Sequence, residues 1–488
     1  MQQLSGMDAS FLYFETRNAP THIGSFAIYD QTTASGGRVT FKGILANVES
    51  RLHLARCFRQ KIVHVPLDLD HPYWIEDPEF DLEFHVRHIA LPHPGDWRQL
   101  CIQVARIHAR PLDLSKPLWE MYVIEGLDNV EGVPPGSFAV LTKIHHAAID
   151  GVSGAELAAA VHDLEPDGVP APPAQPWKPE PDPTVLDLAG SYVGNLIRDP
   201  LRFARTVRRV APGVSALLRG SSSDEVENSG PVPRTRFNDV VSPHRVGDGR
   251  SFSLDDIRTI RKGVPGSTVN DVILTLCSGA LRRYLTAHHD LPEESLVAMA
   301  PISVRSEEEK GTAGNQISAM SVTLFSDEAS PVERLRKVHQ GTQESKAMAE
   351  AVGARTMTDI TQFMPGALSG LAARLYTRLG LANRIQPFLN TVITNVPGPQ
   401  IPLYFTGARM VALHGTGPVM DGMGLIHPVF SCSGKISVAF TACRKQMPDP
   451  GFYAECLQAS FDELHDAFST SARATSAGRG KAAGIPAG

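Results

Sequence analysis

The chain has 488 residues, 42% hydrophobic and 20% charged, a composition typical of a folded globular protein long enough for two or three domains. Its net charge of −6 gives no general electrostatic basis for binding nucleic acid, so we expect no nucleic-acid partner. The sequence shows no signal-peptide pattern and no apolar run of about 18 residues, so we expect neither a signal peptide nor a membrane span.

The six cysteines are scattered along the chain and form no closely spaced pair. They are Cys57, Cys101, Cys277, Cys432, Cys443 and Cys456. This spacing favours reduced, mostly buried thiols over a disulfide framework or a zinc site. We therefore expect a cytoplasmic protein without a bound metal.

The first ninety residues predict an amphipathic start followed by strands. Residues 4–12 form a short amphipathic segment and residues 20–29 predict a strand. Residues 74–77 and 80–88 predict a strand pair, in which His85 points away from the alternating apolar side chains. We expect His85 to have a structural role. The alternative that it lines a cleft stays open.

A helix is predicted over residues 97–109, and a stiff turn follows it. Residues 111–119 have the form Pro-Leu-Asp-x-x-x-Pro-Leu-Trp and lead into a strand at 121–126. The two prolines restrict the backbone. Trp119 is expected to pack in the core and is assigned no chemical role.

The most informative stretch is a predicted strand that ends in two histidines. Residues 137–146 are mainly β-branched, aromatic or apolar and follow a Pro-Pro-Gly turn. Adjacent side chains on a strand point in opposite directions, so only one of His145 and His146 can face a given substrate. Asp150 is near enough in sequence to turn back beneath the pair, and Gly151 can adopt a positive φ.

A capped helix is predicted directly after the histidines. Ser153 stands three residues before Glu156, the spacing of a capping box, and an Ala/Leu-rich helix follows at 157–164. The two histidines therefore lie on a tight connection between a strand and a helix. The later pair His288-His289 lacks the Asp-Gly spacing and is interpreted as a solvated helix end.

Residues 166–183 are rich in proline, which indicates a linker at a domain boundary. Residues 184–219 follow with helical spacing. Their second part carries one aspartate, Asp199, and the arginines Arg198, Arg202, Arg205, Arg208, Arg209 and Arg219. A helical segment with one apolar face and one basic face suits binding to an anionic lipid surface. It suits equally a helical hairpin that packs on the rest of the protein and exposes its basic face to solvent.

In the second half, residues 267–286 predict a long helix capped by Ser267 or Thr268. Asn270 would lie in its first turn, among unpaired N–H groups at the positive end of the helix dipole. There it could help to bind an oxyanion or a phosphate. Alternatively, Asn270 and Asp271 only cap and brace the helix.

Further strands are predicted at 296–305, which ends in Arg305, and at 390–394. A hairpin is predicted at 429–440, turning at Ser433-Gly434. Residues 472–488 are rich in Ala, Gly and Ser and are expected to be disordered.

The pattern His-His-x-x-x-Asp-Gly at 145–151 resembles the active-site motif of the CoA-dependent acyltransferase superfamily. Other blocks resemble one group within it, the bacterial wax ester synthase/diacylglycerol acyltransferases. These blocks are the N-terminal segments 4–12 and 20–29, the turn 111–119, Val-Asn-Asp-Val at 269–272, and the strand blocks 296–305 and 314–325. They occur in the family's order, and the resemblance runs from about residue 4 to about residue 468.

The resemblance implies an α/β fold of two chloramphenicol-acetyltransferase-like domains, each a mixed β-sheet flanked by helices, with a tunnel along their interface. The N-terminal domain would span 1–165, the Pro-rich and helical linker 166–235, the C-terminal domain 236–468 and a disordered tail 469–488. In that family, the segment that corresponds to 390–399 crosses to the other domain's sheet.

The resemblance also implies an acyltransferase that takes acyl-CoA as a substrate and uses no cofactor or metal. Diacylglycerol or a long-chain alcohol would accept the acyl group, giving triacylglycerol or a wax ester. His146 would take the hydroxyl proton as general base, and no acyl-enzyme would form. His145 would support it, and Asp150 would orient the loop.

Gly151, Asn270 and Arg305 are the candidate substrate-binding residues. Arg305 would meet a CoA phosphate or form a structural ion pair. A lipid enzyme without a membrane span would reach its substrate by adsorption, so the inner membrane and lipid droplets are candidate peripheral locations for a cytoplasmic protein.

Three alternatives stay open at this point. The same fold could acylate another acceptor, such as a polyketide hydroxyl or an amine. The chain could bind lipid without catalysis and keep only the tunnel. A metal hydrolase is disfavoured because the histidine pair has no further ligands near it in the sequence.

Overall fold

The computed structural model describes residues 1–68, 70–149, 159–168, scattered positions between 172 and 190, 232–303, 317–352, 376, 378–398 and 400–481. Asp150, Gly151 and Arg305 lie outside the described residues, as do the predicted capping box at 153–156 and the arginine-rich stretch 198–219.

Strands and helices alternate through the first part of the chain. In order they are β1 (Gln2–Gln3), α1 (Gly6–Phe14), β2 (His22–Asp30), α2 (Phe41–Glu49), β3 (Gln60–Val63), β4 (Tyr73–Glu76), α3 (Leu82–His85), β5 (Val86–Ala90), α4 (Trp97–His108), β6 (Trp119–Glu125) and β7 (Phe138–His145). Ser5, Thr40 and Asp96 cap α1, α2 and α4, each by accepting a backbone N–H of the first turn.

The second part contains the longer helices. Its elements are β8 (Arg245–Ser253), α5 (Leu254–Lys262), α6 (Val269–Ala287), β9 (Val297–Ser303), β10 (Ile317–Thr323), α7 (Pro331–Val352), β11 (Thr391–Pro397), β12 (Tyr404–Phe405), β13 (Ala408–Thr416), β14 (Leu425–Cys432), β15 (Lys435–Cys443) and α8 (Pro450–Lys481). The predicted hairpin is confirmed, because β14 and β15 pair across Ser433 and Gly434, whose φ angles of 48° and 76° fit a tight hairpin turn.

The strand with the histidines runs through the interior of the first six-stranded sheet, whose order is β12-β13-β2-β7-β6-β5. β7 pairs antiparallel with β2 and β6, while β5 runs parallel to β6. Every residue of β7 except Thr142 is buried. Because both faces of the strand are buried, its sequence is mainly apolar and does not alternate between apolar and polar residues.

The second six-stranded sheet is also mixed, with the order β10-β9-β11-β14-β15-β8. β11 runs parallel to β9 and β14, and the other neighbours are antiparallel. Helices α5, α6 and α8 contribute Ile257, Leu276 and Leu457 to its core. Mixed sheets flanked by helices confirm the expected fold class.

The strand that crosses between the two halves is β13, together with the short β12. Thr416 pairs with Gly24 and Met410 with Tyr29, so β13 extends the first sheet. The prediction that the crossing segment is 390–399 is wrong, because Thr391–Pro397 pairs with β9 and β14 of the second sheet. Val392 and Ile393 of this stretch are buried between two parallel neighbours, and Pro397 then ends the ladder because it has no N–H group.

The predicted strand pair at 74–77 and 80–88 is also wrong. Tyr73–Glu76 pairs with β1 and β3, and only Val86–Ala90 joins the first sheet. Residues 82–85 form a helical turn because the Asp81 side chain accepts the Glu83 N–H and starts a helix instead.

The last helix is longer than expected. α8 continues to Lys481, so the prediction of a disordered tail from residue 469 is wrong for 469–481. No proline interrupts the chain between residues 451 and 481, and Ala and Arg favour continued helix. Residues 482–488 lie outside the described part.

The two halves meet through α4 and β13. The Trp97 Nε1 on α4 donates a hydrogen bond to Asp248 Oδ1 on β8 at 2.7 Å. A small cavity lies between α4, β8, β13 and β15, and His108, Cys101 and Thr416 are among its lining residues. Within the described ranges, no helix combines the length and apolar character needed to cross a membrane.

Candidate active site

The two histidines are held by backbone hydrogen bonds on both sides of β7. The His145 N–H donates to the carbonyl of Leu118 at 2.9 Å, and the His146 N–H donates to the carbonyl of Thr21 at 3.1 Å. His145 is the last residue of β7, and His146 begins a 3-10 turn that ends at Ile149. The predicted placement at a strand end is therefore confirmed.

The His145 ring is fully buried, and both of its nitrogens are occupied. Its Nδ1 accepts the backbone N–H of Ala147 at 3.1 Å, so its proton is on Nε2. Nε2 lies 2.8 Å from Glu15 Oε2 and 3.1 Å from Thr21 Oγ1. A ring held in this way cannot accept a substrate proton without losing a buried partner. The geometry of His145 therefore suits a role in positioning His146.

Thr21 connects both histidines to the first helix. Its hydroxyl donates to the carbonyl of Phe11 at 2.8 Å and therefore accepts from His145. Its own carbonyl accepts the N–H of His146. One buried threonine thus fixes the backbone of His146, the ring of His145 and the end of α1.

The His146 ring is half-buried and stacks on Phe11, with ring centroids 3.7 Å apart and planes 15° apart. Burial lowers the pKa of His146 to about 4, because removal from water disfavours the charged imidazolium. The neighbouring His145 lowers the pKa further, while a backbone contact raises it. At neutral pH the ring is uncharged and has a lone pair that can accept a proton.

Polar groups are also buried behind the histidines, on the side of β7 that His145 faces. Lys143 is 1% exposed, and its Nζ lies 3.1 Å from Glu120 Oε2 and 2.8 Å from the carbonyl of Arg110. Burial lowers the pKa of Lys143, although Glu120 opposes the shift. These contacts satisfy the ammonium group, so Lys143 supports the sheet.

A second polar group joins β2 to the crossing strand. His22, the partner of His145 in the strand register, donates from Nε2 to the carbonyl of His108 at 2.6 Å. The His108 ring donates to the carbonyl of Gly417 at 2.9 Å and accepts from the Thr416 hydroxyl at 3.1 Å. This chain of contacts ties β13 to the interior of the first half, one strand from the active-site candidate.

His85 and Trp119 have the structural roles expected of them. Trp119 is 2% exposed and donates from Nε1 to the carbonyl of Phe58 at 3.0 Å. His85 stacks between Phe80 and Trp119. Its Nδ1–H donates a hydrogen bond to the Trp119 carbonyl at 2.7 Å. His85 is therefore part of the packing around β6.

Asn270 lies in the first turn of α6, as predicted. Thr268 caps this helix by accepting the Asp271 N–H, and the Asp271 carboxylate accepts the Thr268 N–H in return. The Asn395 amide donates to Asn270 Oδ1 at 3.4 Å, which joins α6 to β11. The bracing role of this segment is confirmed, and the role of Asn270 in binding substrate stays a prediction.

Sequence reasoning missed three residues of the site: Phe11, Glu15 and Thr21. Residues 4–12 and 20–29 resemble blocks of the family, but nothing in the local pattern indicates that they meet residue 145. Only the register of β2 against β7, which pairs His22 with His145, brings them together. Within the described ranges, no cluster of three or more His, Cys, Asp or Glu residues could hold a metal ion.

Comparison with known proteins agrees with this architecture. Residues 4–273 match the model of the wax ester synthase/diacylglycerol acyltransferase catalytic domain, and residues 313–465 match the C-terminal domain of the same proteins. The O-acyltransferase WSD of Acinetobacter baylyi is 33% identical over 459 residues, covering 92% of this chain and 93% of its own. A Mycobacterium tuberculosis protein provisionally named a diacylglycerol O-acyltransferase is 34% identical over 465 residues, covering 95% and 90%.

Solved structures show the same fold. The wax ester synthase/diacylglycerol acyltransferase of Marinobacter aquaeolei VT8 superposes with a TM-score of 0.68 and 27% identity, over 96% of this chain and all of that one. The first condensation domain of the CDA synthetase superposes with a TM-score of 0.52 and 14% identity, over 96% of each chain. The second likeness shows the fold alone.

Proposed function

The chain belongs to the wax ester synthase/diacylglycerol acyltransferase family, and we propose that it transfers an acyl group from acyl-CoA to the hydroxyl of diacylglycerol or a long-chain alcohol. The products are triacylglycerol and wax ester, with CoA released as the thiol. The observation that carries the proposal is the neutral, half-buried imidazole of His146 at the end of a rigid central strand.

His146 acts as general base in the proposed mechanism. The unprotonated nitrogen of its ring accepts the hydroxyl proton while the alcohol oxygen attacks the thioester carbonyl. The tetrahedral intermediate then expels the CoA thiolate, which takes the proton back from the imidazolium. The enzyme forms no covalent bond to the acyl group, and base catalysis of this kind contributes about 10²–10⁴-fold.

The remaining candidates position the loop and the substrates. His145 holds the turn through Ala147, because a ring nitrogen that accepts this N–H fixes the backbone just after His146. Asp150 orients the loop, and Gly151 lets it turn. Asn270, at the positive end of the α6 dipole, binds the oxyanion or a CoA phosphate, and Arg305 meets a CoA phosphate.

The two substrates meet in a tunnel between the two halves of the molecule. Support comes from the crossing strand β13, which extends the first sheet, and from the hydrogen bond of Trp97 on α4 to Asp248 on β8, because both contacts join the two halves. The acyl-CoA enters from one face of this interface and the acceptor from the other. No cofactor takes part.

The experiment that tests the function uses labelled acyl-CoA in a single turnover with three acceptors: diacylglycerol, hexadecanol and hexadecylamine. We expect ester formation with one or both hydroxyl lipids, CoA release only when an acceptor is present, and no label on denatured protein. Preferred acylation of the amine would assign another acceptor class. Binding of acyl-CoA without turnover would indicate a lipid-binding protein.

The enzyme works in the cytoplasm and reaches its lipid substrates at the surface of the inner membrane or of lipid droplets. One exposed loop supports this part of the proposal. Leu379 is 53% exposed and Phe388 84% exposed, and the exposed Arg378 and Arg384 stand beside them without an acid between residues 376 and 390. Arg234 holds the loop by donating to the carbonyl of Ala382 at 2.9 Å. Apolar and basic side chains together suit an anionic lipid surface.

Sedimentation with phosphatidylglycerol vesicles tests the lipid surface. Leu379→Ser/Phe388→Ser should reduce the vesicle-bound fraction several-fold, while Leu186→Ser, at a position that is 82% exposed, should not. Equal binding by all three proteins, or equal binding to phosphatidylcholine, would contradict a role for this loop.

A further inference from the structure

Helix α1 has two different faces. Asp8, Ala9 and Leu12 are buried against the body of the protein. Met7 and Phe14 lie on the opposite side and are 38% and 46% exposed. At about 100° per residue, Met7, Phe11 and Phe14 share one side of the helix, so α1 presents an apolar outer face.

The middle of this outer face lies against the His146 ring. Phe11 lies between Met7 and Phe14 on that face and stacks on the imidazole at 3.7 Å. The helix also packs directly on the 3-10 turn that His146 opens. From Met7 to Phe14 the helix rises about 10 Å, so the apolar strip extends from the imidazole at Phe11 to an exposed side chain on either side.

No charged side chain of helix α1 itself lies on the strip. The acidic residues of this segment, Asp8 and Glu15, are turned to other partners: the Asp8 carboxylate accepts the Ser5 hydroxyl, and the Glu15 carboxylate accepts from the His145 ring. The sequence from residue 4 to residue 16 contains no Lys or Arg. A water-exposed face of this composition, directly beside a reactive imidazole, is suited to hydrocarbon.

We propose that the Met7–Phe11–Phe14 face of α1 binds the hydrocarbon chain of the acceptor lipid while its hydroxyl lies against His146. The assignment rests on the proposed role of His146 as general base. The acceptor is favoured over the acyl chain because the hydroxyl must touch the imidazole, and the first carbons attached to that hydroxyl therefore lie beside the ring that stacks on it.

The face contributes affinity in proportion to chain length. Each methylene removed from water changes binding by about fourfold, so a long alcohol gains from the strip and a short alcohol does not reach it. Replacing the exposed side chains by serine keeps the helix, since both positions face solvent.

The test compares kcat/KM for butanol and hexadecanol at one fixed acyl-CoA, with alcohols presented in the same detergent. Met7→Ser/Phe14→Ser should lose about tenfold with hexadecanol, chiefly in KM, and less than twofold with butanol. The matched control Leu54→Ser/Phe452→Ser removes apolar side chains that are 48% and 38% exposed elsewhere and should change neither value.

Three results would overturn the proposal: an equal loss with both alcohols, a loss that follows acyl-CoA length instead of alcohol length, or the same loss in the control variant. A separate His146→Ala measurement distinguishes this failure from failure of the proposed function. If His146→Ala is inactive but the chain-length dependence is unchanged in Met7→Ser/Phe14→Ser, only the binding face is wrong.

Discussion

Burial lowers the pKa of both His146 in the first half and His427 in the second half, yet their rings differ in what they can do. His427 on β14 is completely buried; its Nδ1 donates to Thr391 Oγ1 at 3.1 Å and its Nε2 accepts the Tyr453 hydroxyl at 2.7 Å. Burial lowers the pKa of His427 to about 3 and that of His146 to about 4. Both rings are therefore neutral at pH 7.

The difference lies in the edges of the two rings. Both ring nitrogens of His427 form hydrogen bonds with other side chains. His146 is held instead by its backbone N–H and by the face of Phe11. Stacking fixes a ring without occupying its lone pair. A lowered pKa thus identifies burial. The candidate base is the ring that, among the residues the structure describes, makes no hydrogen bond to another side chain.

The largest effect expected from this comparison is on stability at His427. His427→Ala should lower the free energy of unfolding by about 3 kcal/mol, because it leaves a cavity and removes the ring nitrogen that accepts the buried Tyr453 hydroxyl. The rate per folded molecule should stay within about twofold of wild type. Urea unfolding and initial rates measure the two quantities, and a large rate loss at full stability would contradict the assignment.

The next effect concerns the pH dependence of the reaction. Because the His146 pKa is lowered to about 4, kcat/KM should stay level from pH 8 to about pH 5.5. It should fall only at lower pH, as the pH approaches the pKa of about 4. Phe11→Ala admits water to the ring and should raise the His146 pKa toward its usual value of about 6.5, so that kcat/KM at pH 5.5 falls about tenfold below its value at pH 8.

The control for this pH profile is Phe14→Ala on the same helix, assayed with a short alcohol. It should leave the position of the acidic limb unchanged. An acidic limb that does not move in Phe11→Ala would show that the stacked ring is not what keeps water from His146.

Acid should also destabilise the whole fold. His108, His414 and His427 are buried, and burial lowers their pKa to about 3, 4 and 3. The folded state holds them neutral, so their contribution to stability is complete above about pH 6.5 and is lost as the pH falls from there toward those values. The urea midpoint should therefore be lower at pH 5.0 than at pH 7.5. An unchanged midpoint would contradict the burial of these histidines in their neutral form.

A moderate effect is expected at Thr21. The isosteric Thr21→Val removes the hydroxyl that joins His145 to Phe11 and should lower kcat about tenfold with little change in KM, since it loosens the base and not the substrate. Thr21→Ser keeps the hydroxyl and should recover most of the rate. Equal activity of Thr21→Val and wild type would remove Thr21 from the positioning network.

The smallest effect is expected where the two halves meet. Trp97→Phe keeps an aromatic side chain but removes the indole N–H that donates to Asp248, and should cost about 1–2 kcal/mol of stability with kcat unchanged. Thermal unfolding measures this loss. A variant that is as stable as wild type would show that β13, rather than α4, carries the contact between the halves.

Local patterns predicted the parts of the site that lie close together in sequence. The apolar run before His145, the Pro-Pro-Gly turn and the cap of α6 each follow from a short stretch of residues, and all three are found in the structure. The strand end that carries both histidines could therefore be placed without coordinates.

The missing parts depend on distant pairings. Glu15 and Thr21 stand 130 and 124 residues before His145, and the register of β2 against β7 leaves no local signature. The crossing strand was misplaced for the same reason, because Thr391–Pro397 and Ala408–Thr416 have equally good strand patterns, and only packing decides which sheet each one joins.

The most direct test of the central claim is the rate of ester formation by His146→Ala at pH 7.5, with saturating acyl-CoA and hexadecanol. The account predicts a loss of about 10²–10⁴-fold in kcat with an unchanged circular dichroism spectrum and unfolding midpoint. A folded variant that keeps kcat within about tenfold of wild type would contradict the claim that His146 accepts the hydroxyl proton.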